Sequence, residues 1–377
     1  MSSCQKHLSR TDAVNLGSFY TNAHLVALAD NILSEAVCDL EKYTILDSSC
    51  GYGSFLNKSA DRVIGADIDS AAIGEAKKLL QGAEFININS LKNVKRDNFK
   101  IGENEKLIIV GNPPYNDTTS IIRNSIKNSS IRDEIDADIR TRDTGMSFLL
   151  SYNKLQADFV CVLHPLSYLI KKTNFALLNN FAKNYRLIGD LVISSREFVD
   201  TSRSMAFPIL TALYKRDNCG MDYDFIYNYK FKIKEGGIFS LSSFDTIANY
   251  VQKYPNKKYL ASDTKPIAKF WTLRDINALK RNRTFIDEDS YNTIYVLTEN
   301  LPYYCYIDIF KQYADKMPYF LGNCDIIIDH EKFIKIKDCF AYQSVQNNPI
   351  LRKNINCVEI PNAKQKIDNY FNELLDI

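Results

Sequence analysis

Seven short apolar runs alternate with helical stretches over the first 215 residues, and this alternation restricts the possible folds more than any other feature of the chain. The runs are "YTILD" (43–47), "RVIGADI" (62–68), "AEFINI" (83–88), "KLIIVG" (106–111), "DFVCVLHP" (158–165), "RLIGDLVI" (186–193) and "PILTALYK" (208–215). They are rich in β-branched and aromatic residues, as strands are. Between them, 22–37, 53–60, 70–80, 145–156 and 171–184 read as helices. Strands alternating with helices predict one open α/β sheet with helices on both faces. Such a sheet takes its ligands at the carboxyl ends of its strands.

The strand ends carry the polar residues of interest. The first run passes into "LDSSCGYGSFL" (46–56), where an acid closes the strand and Gly51 and Gly53 are expected to open a helix. Glycines there let the backbone approach a ligand closely. The third glycine of the dinucleotide fingerprint is missing, and "LNKS" lacks the lysine placement of a phosphate-binding loop. The second run ends "GADIDS", with Asp67 twenty residues after Asp47. In a nucleoside-binding α/β fold, an acid at about that distance grips ribose hydroxyls. Ile68 is placed to pack on an adenine face, and Asn89, after the third strand, to hydrogen-bond it. Taken alone, these are also the strand ends of any flavodoxin-like or dinucleotide-binding sheet. The fourth run ends in "GNPPYN" (111–116), whose "NPPY" offers an amide, two rings without N–H groups and a phenol, but no acid or base.

Segment 116–144 is polar and has little apolar periodicity, as expected of a functional loop or a disordered one. After "KRDNCG" (215–220) the pattern changes. "YDFIYNYKFKIKEGGIFSL" (223–241) alternates in β fashion around a Glu-Gly-Gly turn. From Lys253 to Arg283 there are nine Lys or Arg against two acids, and the single tryptophan, Trp271, lies among them. These shifts predict two domains, 1–217 and 218–377.

The chain of 377 residues is 45% hydrophobic and 12% aromatic, which excludes a disordered protein. A net charge of +2 neither requires nor rules out a polyanionic partner. The start "MSSCQKHLSR" has no apolar core of a signal peptide, and no run approaches about 18 apolar residues. No membrane contact and a cytoplasmic location are therefore expected. Nine cysteines without a C-x-x-C pair read as reduced thiols. Four histidines without ligand spacing predict no metal.

In sequence order, "GSFYT" (17–21), "LDSSCGYG" (46–53), "GADID" (65–69), "INSL" (88–91) and "NPPY" (112–115) resemble the gamma-class DNA adenine-N6 methyltransferases of restriction–modification systems. The resemblance covers about residues 1–215. It implies a seven-stranded open sheet of the class I methyltransferase type, followed by a mixed α+β target-recognition domain. It also implies S-adenosylmethionine as cofactor, with Tyr20 and Thr21 at its methionine end. Asp47, Ser49, Gly51, Gly53 and Asn112 would line its pocket, and Asp67 would take the ribose. The family often has an acid where this chain has Asn89. A helix start with Thr21 or Asn22 as N-cap accounts for the same region without a ligand.

The resemblance gives "NPPY" a chemical purpose. The lone pair of an adenine amine is delocalised into the ring, and methyl transfer needs it aimed at the methyl carbon. Two acceptors on the amine hydrogens draw the nitrogen toward tetrahedral geometry and stabilise the charge that develops. Asn112 offers a side-chain oxygen and Pro113 a carbonyl, while Tyr115 would stack on the base. The base must first be flipped out of the duplex. A second ring, expected in the loop 195–209, is assigned to Phe198 with Phe207 as runner-up; a core aromatic is the alternative for Phe198. Arg196 and Arg203 flank that loop as DNA contacts. Lys257, Lys258, Lys269, Arg274, Arg281 and Arg283 are candidates for phosphate contacts, although a charge run also suits a solvated surface. The expected partners are double-stranded DNA and a separate cognate restriction endonuclease, and the expected state is a monomer. Methylation of a protein glutamine or an rRNA amine, and a non-catalytic DNA-binding specificity subunit, are the competing readings.

Overall fold

The computed structural model describes residues 21–115, 134–198, 206–255 and 265–375. Tyr20, Arg203, Lys257 and Lys258 lie outside them, as does 116–133.

The seven runs form seven strands, each within one or two residues of its expected bounds: β1 (Thr44–Asp47), β2 (Arg62–Asp67), β3 (Glu84–Asn87), β4 (Leu107–Gly111), β5 (Phe159–Pro165), β6 (Tyr185–Ser194) and β7 (Pro208–Arg216). They hydrogen-bond into one sheet in the order β3-β2-β1-β4-β5-β7-β6. All neighbours are parallel except β7, which runs antiparallel to both β5 and β6. This order, with one reversed strand, is that of the class I S-adenosylmethionine-dependent methyltransferase fold. Every residue of β1 and β4 is buried, which is why these strands read as unbroken apolar runs and not as alternating ones. Strand order reverses between β1 and β4, so a crevice opens outside their carboxyl ends.

Helices connect the strands as the periodicity requires. Helix α1 (Ala23–Ala36) buries Leu25, Ala29 and Leu33, and Asn22 caps it by accepting from the Leu25 N–H. Helix α2 (Ser70–Leu79) is capped by Asp69, which accepts from the N–H groups of Ala71 and Ala72. Helix α3 (Thr144–Lys154) is capped by Asp143.

Three expectations fail. The stretch 53–60 is not helical. Gly51 and Gly53 take φ of +50° and +80°, and two left-handed residues within three leave no helical ladder to propagate. The β-pattern at 223–241 opens with a helix, Tyr223–Asn228, started by Asp222 as N-cap. Only Phe231–Lys232 and Ile238–Phe239 pair as strands. The chain divides at Phe239/Ser240 and not at 217/218. The intervening segment is bound to the first unit: Tyr229 donates its O–H and Lys232 its N–H to the buried Asp190 of β6, and Tyr223 donates to the Ile170 carbonyl.

The second unit, from Ser240, is mostly helical. Helices α4 (Leu301–Tyr313), α5 (His330–Asn347) and α6 (Ala363–Leu375) enclose Tyr306, whose ring meets Phe310, Phe333, Phe340, Tyr370 and Phe371. The buried Asp308 ties this core together by accepting from Thr284 and Ser344. Among the described residues no helix is long and apolar enough to cross a membrane.

Candidate active site

The polar residues converge where the strand order predicts, at the carboxyl ends of β1, β2 and β4. Asp47 closes β1, is 2% exposed, and accepts from the Ser49 N–H at 3.1 Å. Burial pushes its carboxyl up to about 7; the Ser49 N–H opposes the shift and the charge of Asp67 adds to it. Gly111 closes β4 against it at φ +142°, and a Cβ there would stand 2.7 Å from Asp47 Oδ1. No other residue type allows this approach.

Asp67 anchors the glycine turn. Its Oδ2 accepts from the Gly51 N–H at 2.8 Å and its Oδ1 from the Asp69 N–H at 2.9 Å. Burial raises its pKa, while these N–H groups pull it back. The left-handed φ of Gly51 thus turns its amide toward the carboxylate of β2. Asn87, which the motifs did not single out, donates to the carbonyls of Asp67 and Ile68 at 2.9 and 3.0 Å. Ile68 stands 62% exposed beside them. Asn89 Nδ2 lies 3.3 and 3.4 Å from Glu134 acceptors, and its Oδ1 accepts from the Leu91 N–H. Its amide is therefore turned largely into the chain. The hydroxyl of Ser49 is buried and has no hydrogen-bond partner among the described residues.

Beyond β4, Asn112 Nδ2 donates to the Thr21 hydroxyl at 3.0 Å. Asn22, not Thr21, caps α1, and its own Nδ2 donates to the Glu197 carbonyl after β6. Tyr115 is 9% exposed, and burial raises its phenol pKa. A Cβ on Gly145 would lie 2.6 Å from the Tyr168 hydroxyl, 3.1 Å from Tyr115 Cβ and 3.4 Å from Asp143 Oδ1. The start of α3 is therefore packed directly against Tyr115. Its only sequence signal is the Asp-x-Gly of an N-cap, which carries no mark of a site.

The loop after β6 departs from expectation. Phe198 is 2% exposed, so its ring is a core contact with no face open to a base. Phe207, immediately before β7, is only half-buried. Arg196 is exposed at the carboxyl edge of β6. In the second unit Lys269 is occupied, with Nζ on Asp289 and the Asp287 carbonyl. Arg274, Arg281 and Arg283 are exposed and make no ion pair among the described residues.

No family model matches the chain, and no curated protein matches it. Solved structures superpose on about half of it. A candidate RNA methyltransferase from Pyrococcus horikoshii is 12% identical, with a TM-score of 0.36 over 54% of this chain and 88% of that one. A candidate class I S-adenosylmethionine-dependent methyltransferase from Listeria monocytogenes is 14% identical, with a TM-score of 0.40 over 54% of this chain and 62% of that one. The methyltransferase subunit of a type I restriction–modification system from Streptococcus thermophilus is 16% identical, with a TM-score of 0.38 over 53% of this chain and 44% of that one. At these scores the neighbours bear on neither substrate nor partner, and the fold rests on the strand order.

Proposed function

We propose that this chain transfers a methyl group from S-adenosylmethionine to the N6 amine of an adenine flipped out of duplex DNA. The observation that carries the reading is Asn112-Pro113 at the end of β4, beside the crevice, with the Asn112 Nδ2 held by Thr21 at 3.0 Å. The other end of the amide is the acceptor proposed for the target amine. The Pro113 carbonyl is the second acceptor, and the prolines keep both still.

The pocket residues fit the cofactor. Asp67 accepts from the Gly51 N–H on one oxygen and the Asp69 N–H on the other, and a carboxylate has further lone pairs to offer ribose hydroxyls. Ile68 offers an exposed apolar face to adenine, and the Ser49 hydroxyl awaits a partner. When bound, S-adenosylmethionine supplies a methyl already activated on a sulfonium, so the target amine needs aiming and no prior deprotonation. Arg196 and the exposed Arg274, Arg281 and Arg283 are the proposed phosphate contacts, which would make binding salt-dependent. A cognate restriction endonuclease reading the same sequence completes the proposal.

Asp47 gives the reading a pH signature. Its carboxyl sits at about 7 because it is buried. The ammonium of the cofactor's methionine end, which S-adenosylhomocysteine also carries, favours the carboxylate beside it, so binding below pH 7 must release a proton. Cofactor affinity, measured by calorimetry with S-adenosylhomocysteine, is expected to rise from pH 5.5 and level off above about 7. Asp47→Asn should flatten that curve, and an unchanged curve would remove Asp47 from the pocket. For folding the sign is opposite. Between the unfolded value of about 4 and about 7, the folded state holds a proton that the unfolded chain has lost, so stability falls as pH rises through that window.

Phe207 takes the stacking position in place of the buried Phe198. Phe207→Ala should suppress the 2-aminopurine fluorescence rise at the target base, since a base–aromatic stack contributes about 1–3 kcal/mol. Phe198→Ala should instead lower stability by about 3–5 kcal/mol as a core deletion. A normal fluorescence rise in Phe207→Ala would return the stacking role to another ring.

The reading as a whole is tested by incubating the purified chain with labelled cofactor and duplex DNA, ribosomal RNA or protein in parallel. Label is expected in DNA alone. Label in RNA or protein only would overturn the proposal.

A further inference from the structure

We infer that Thr21 is a positioning residue for Asn112, a role distinct from the contact with the cofactor's methionine end that the family resemblance implies. This rests on the methyl transfer proposed above and assigns a new role within it.

Asn112 precedes a proline, and the Pro113 ring confines its backbone to the extended region. The side chain still turns about χ1 and χ2, and χ2 is broad and roughly two-fold for asparagine. That torsion decides the chemistry. One end of the amide accepts hydrogen bonds and the other donates them. Turned by half a revolution, the NH2 would face the target amine, donor against donor, and the grip would be lost.

Thr21 holds one end of this amide. Its Oγ1 takes the Nδ2 hydrogen at 3.0 Å, across 91 positions of sequence. The side chain is 6% exposed, so water does not compete freely for the hydroxyl. The hydroxyl is also not engaged in capping α1. Asn22 does that with Oδ1 on the Leu25 N–H, while its Nδ2 fastens the same turn to the Glu197 carbonyl. Thr21 is thus seated beside a turn that is secured at both ends, and it presents one acceptor to one amide.

Three full-length chains test the inference: wild type, Thr21→Val and Thr21→Ser. Two quantities are measured on each, the single-turnover rate of methyl transfer to duplex DNA and the calorimetric Kd for S-adenosylhomocysteine. Thr21→Val is expected to lower the rate by about 10–100-fold, the scale of a misaligned reacting group, and to leave the Kd within about twofold. Thr21→Ser keeps the hydroxyl and should recover the rate to within about threefold of wild type. Melting temperatures confirm that all three are folded. An unchanged rate in Thr21→Val overturns the inference. So does a rise in Kd that matches the loss in rate, because Thr21 would then be holding the cofactor. If the wild type transfers nothing to DNA, the proposed function falls and this role falls with it; transfer by the wild type with either of the other outcomes removes only the role of Thr21.

Discussion

Asn112→Ala is expected to lower the single-turnover rate of methyl transfer by about 10²–10³-fold while DNA and cofactor affinities stay within a few-fold. The magnitude is that of removing one preorganised polar group aimed at developing charge, about 2.7–4 kcal/mol. Charge develops on the amine as the new bond forms, so the Asn112 oxygen contributes more in the transition state than in the ground state, and its loss appears in the rate and not in binding. The variant should fold normally, because the side chain is half-buried at a strand end and does not belong to the core. Asn112→Asp is a sharper companion. It keeps the acceptors but loses the Nδ2 donor that Thr21 holds, and intermediate activity is expected. Full activity in Asn112→Ala, measured with saturating cofactor, would remove Asn112 from the mechanism.

Asp67→Ala should raise the Kd for S-adenosylhomocysteine by about 10–100-fold, with little change in the rate once cofactor is saturating. Hydrogen bonds to a charged group contribute about 1.5–3 kcal/mol each. Asp67 is expected to lose contacts on both sides. Its proposed bonds to ribose hydroxyls disappear, and so does the seat of the Gly51 N–H, held at 2.8 Å. The glycine turn at the end of β1 then keeps its backbone bonds, such as Cys50 N–H to the Ala66 carbonyl at 3.0 Å, but loses its side-chain anchor, and Asp67→Asn should recover only part of the affinity. The carboxylate accepts from both the Gly51 and Asp69 N–H groups, whereas an amide offers a single acceptor oxygen. Calorimetry over the three chains checks this order. Unchanged affinity in Asp67→Ala would place the nucleoside elsewhere.

Different levels of the molecule were legible in the sequence to different degrees. The strands were plain because a parallel sheet covered on both faces demands continuous apolar runs, and "KLIIVG" can hardly be anything else. The sequence suggests a helix at 53–60 that does not form, because glycine signals conformational freedom without saying how it is used. Here Gly51 and Gly53 spend it on left-handed turns. The segment 223–228 is ambiguous because "YDFIYN" satisfies a β alternation and a helical spacing at once, and the Phe225 N–H donating to the Asp222 cap decides for the helix.

The site was legible at strand ends, where the fold itself says that ligands bind. Asp47, Asp67 and Asn112 could be named because each ends a strand near the reversal of order. Contacts between distant segments left no trace in the pattern. Nothing links Thr21 to Asn112, or Gly145 to Tyr115, until the chain is folded. Phe198 and Phe207 stand nine positions apart in one loop, and only burial separates a core ring from one with an open face.

The most direct measurement of the central claim is sequencing that reads modified bases in the DNA of cells expressing this chain, beside cells expressing Asn112→Ala. The expected result is N6-methyladenine at one recurring short sequence with the wild type and none with the variant. Unmodified adenines in wild-type cells, or methyl groups on cytosine, would contradict it.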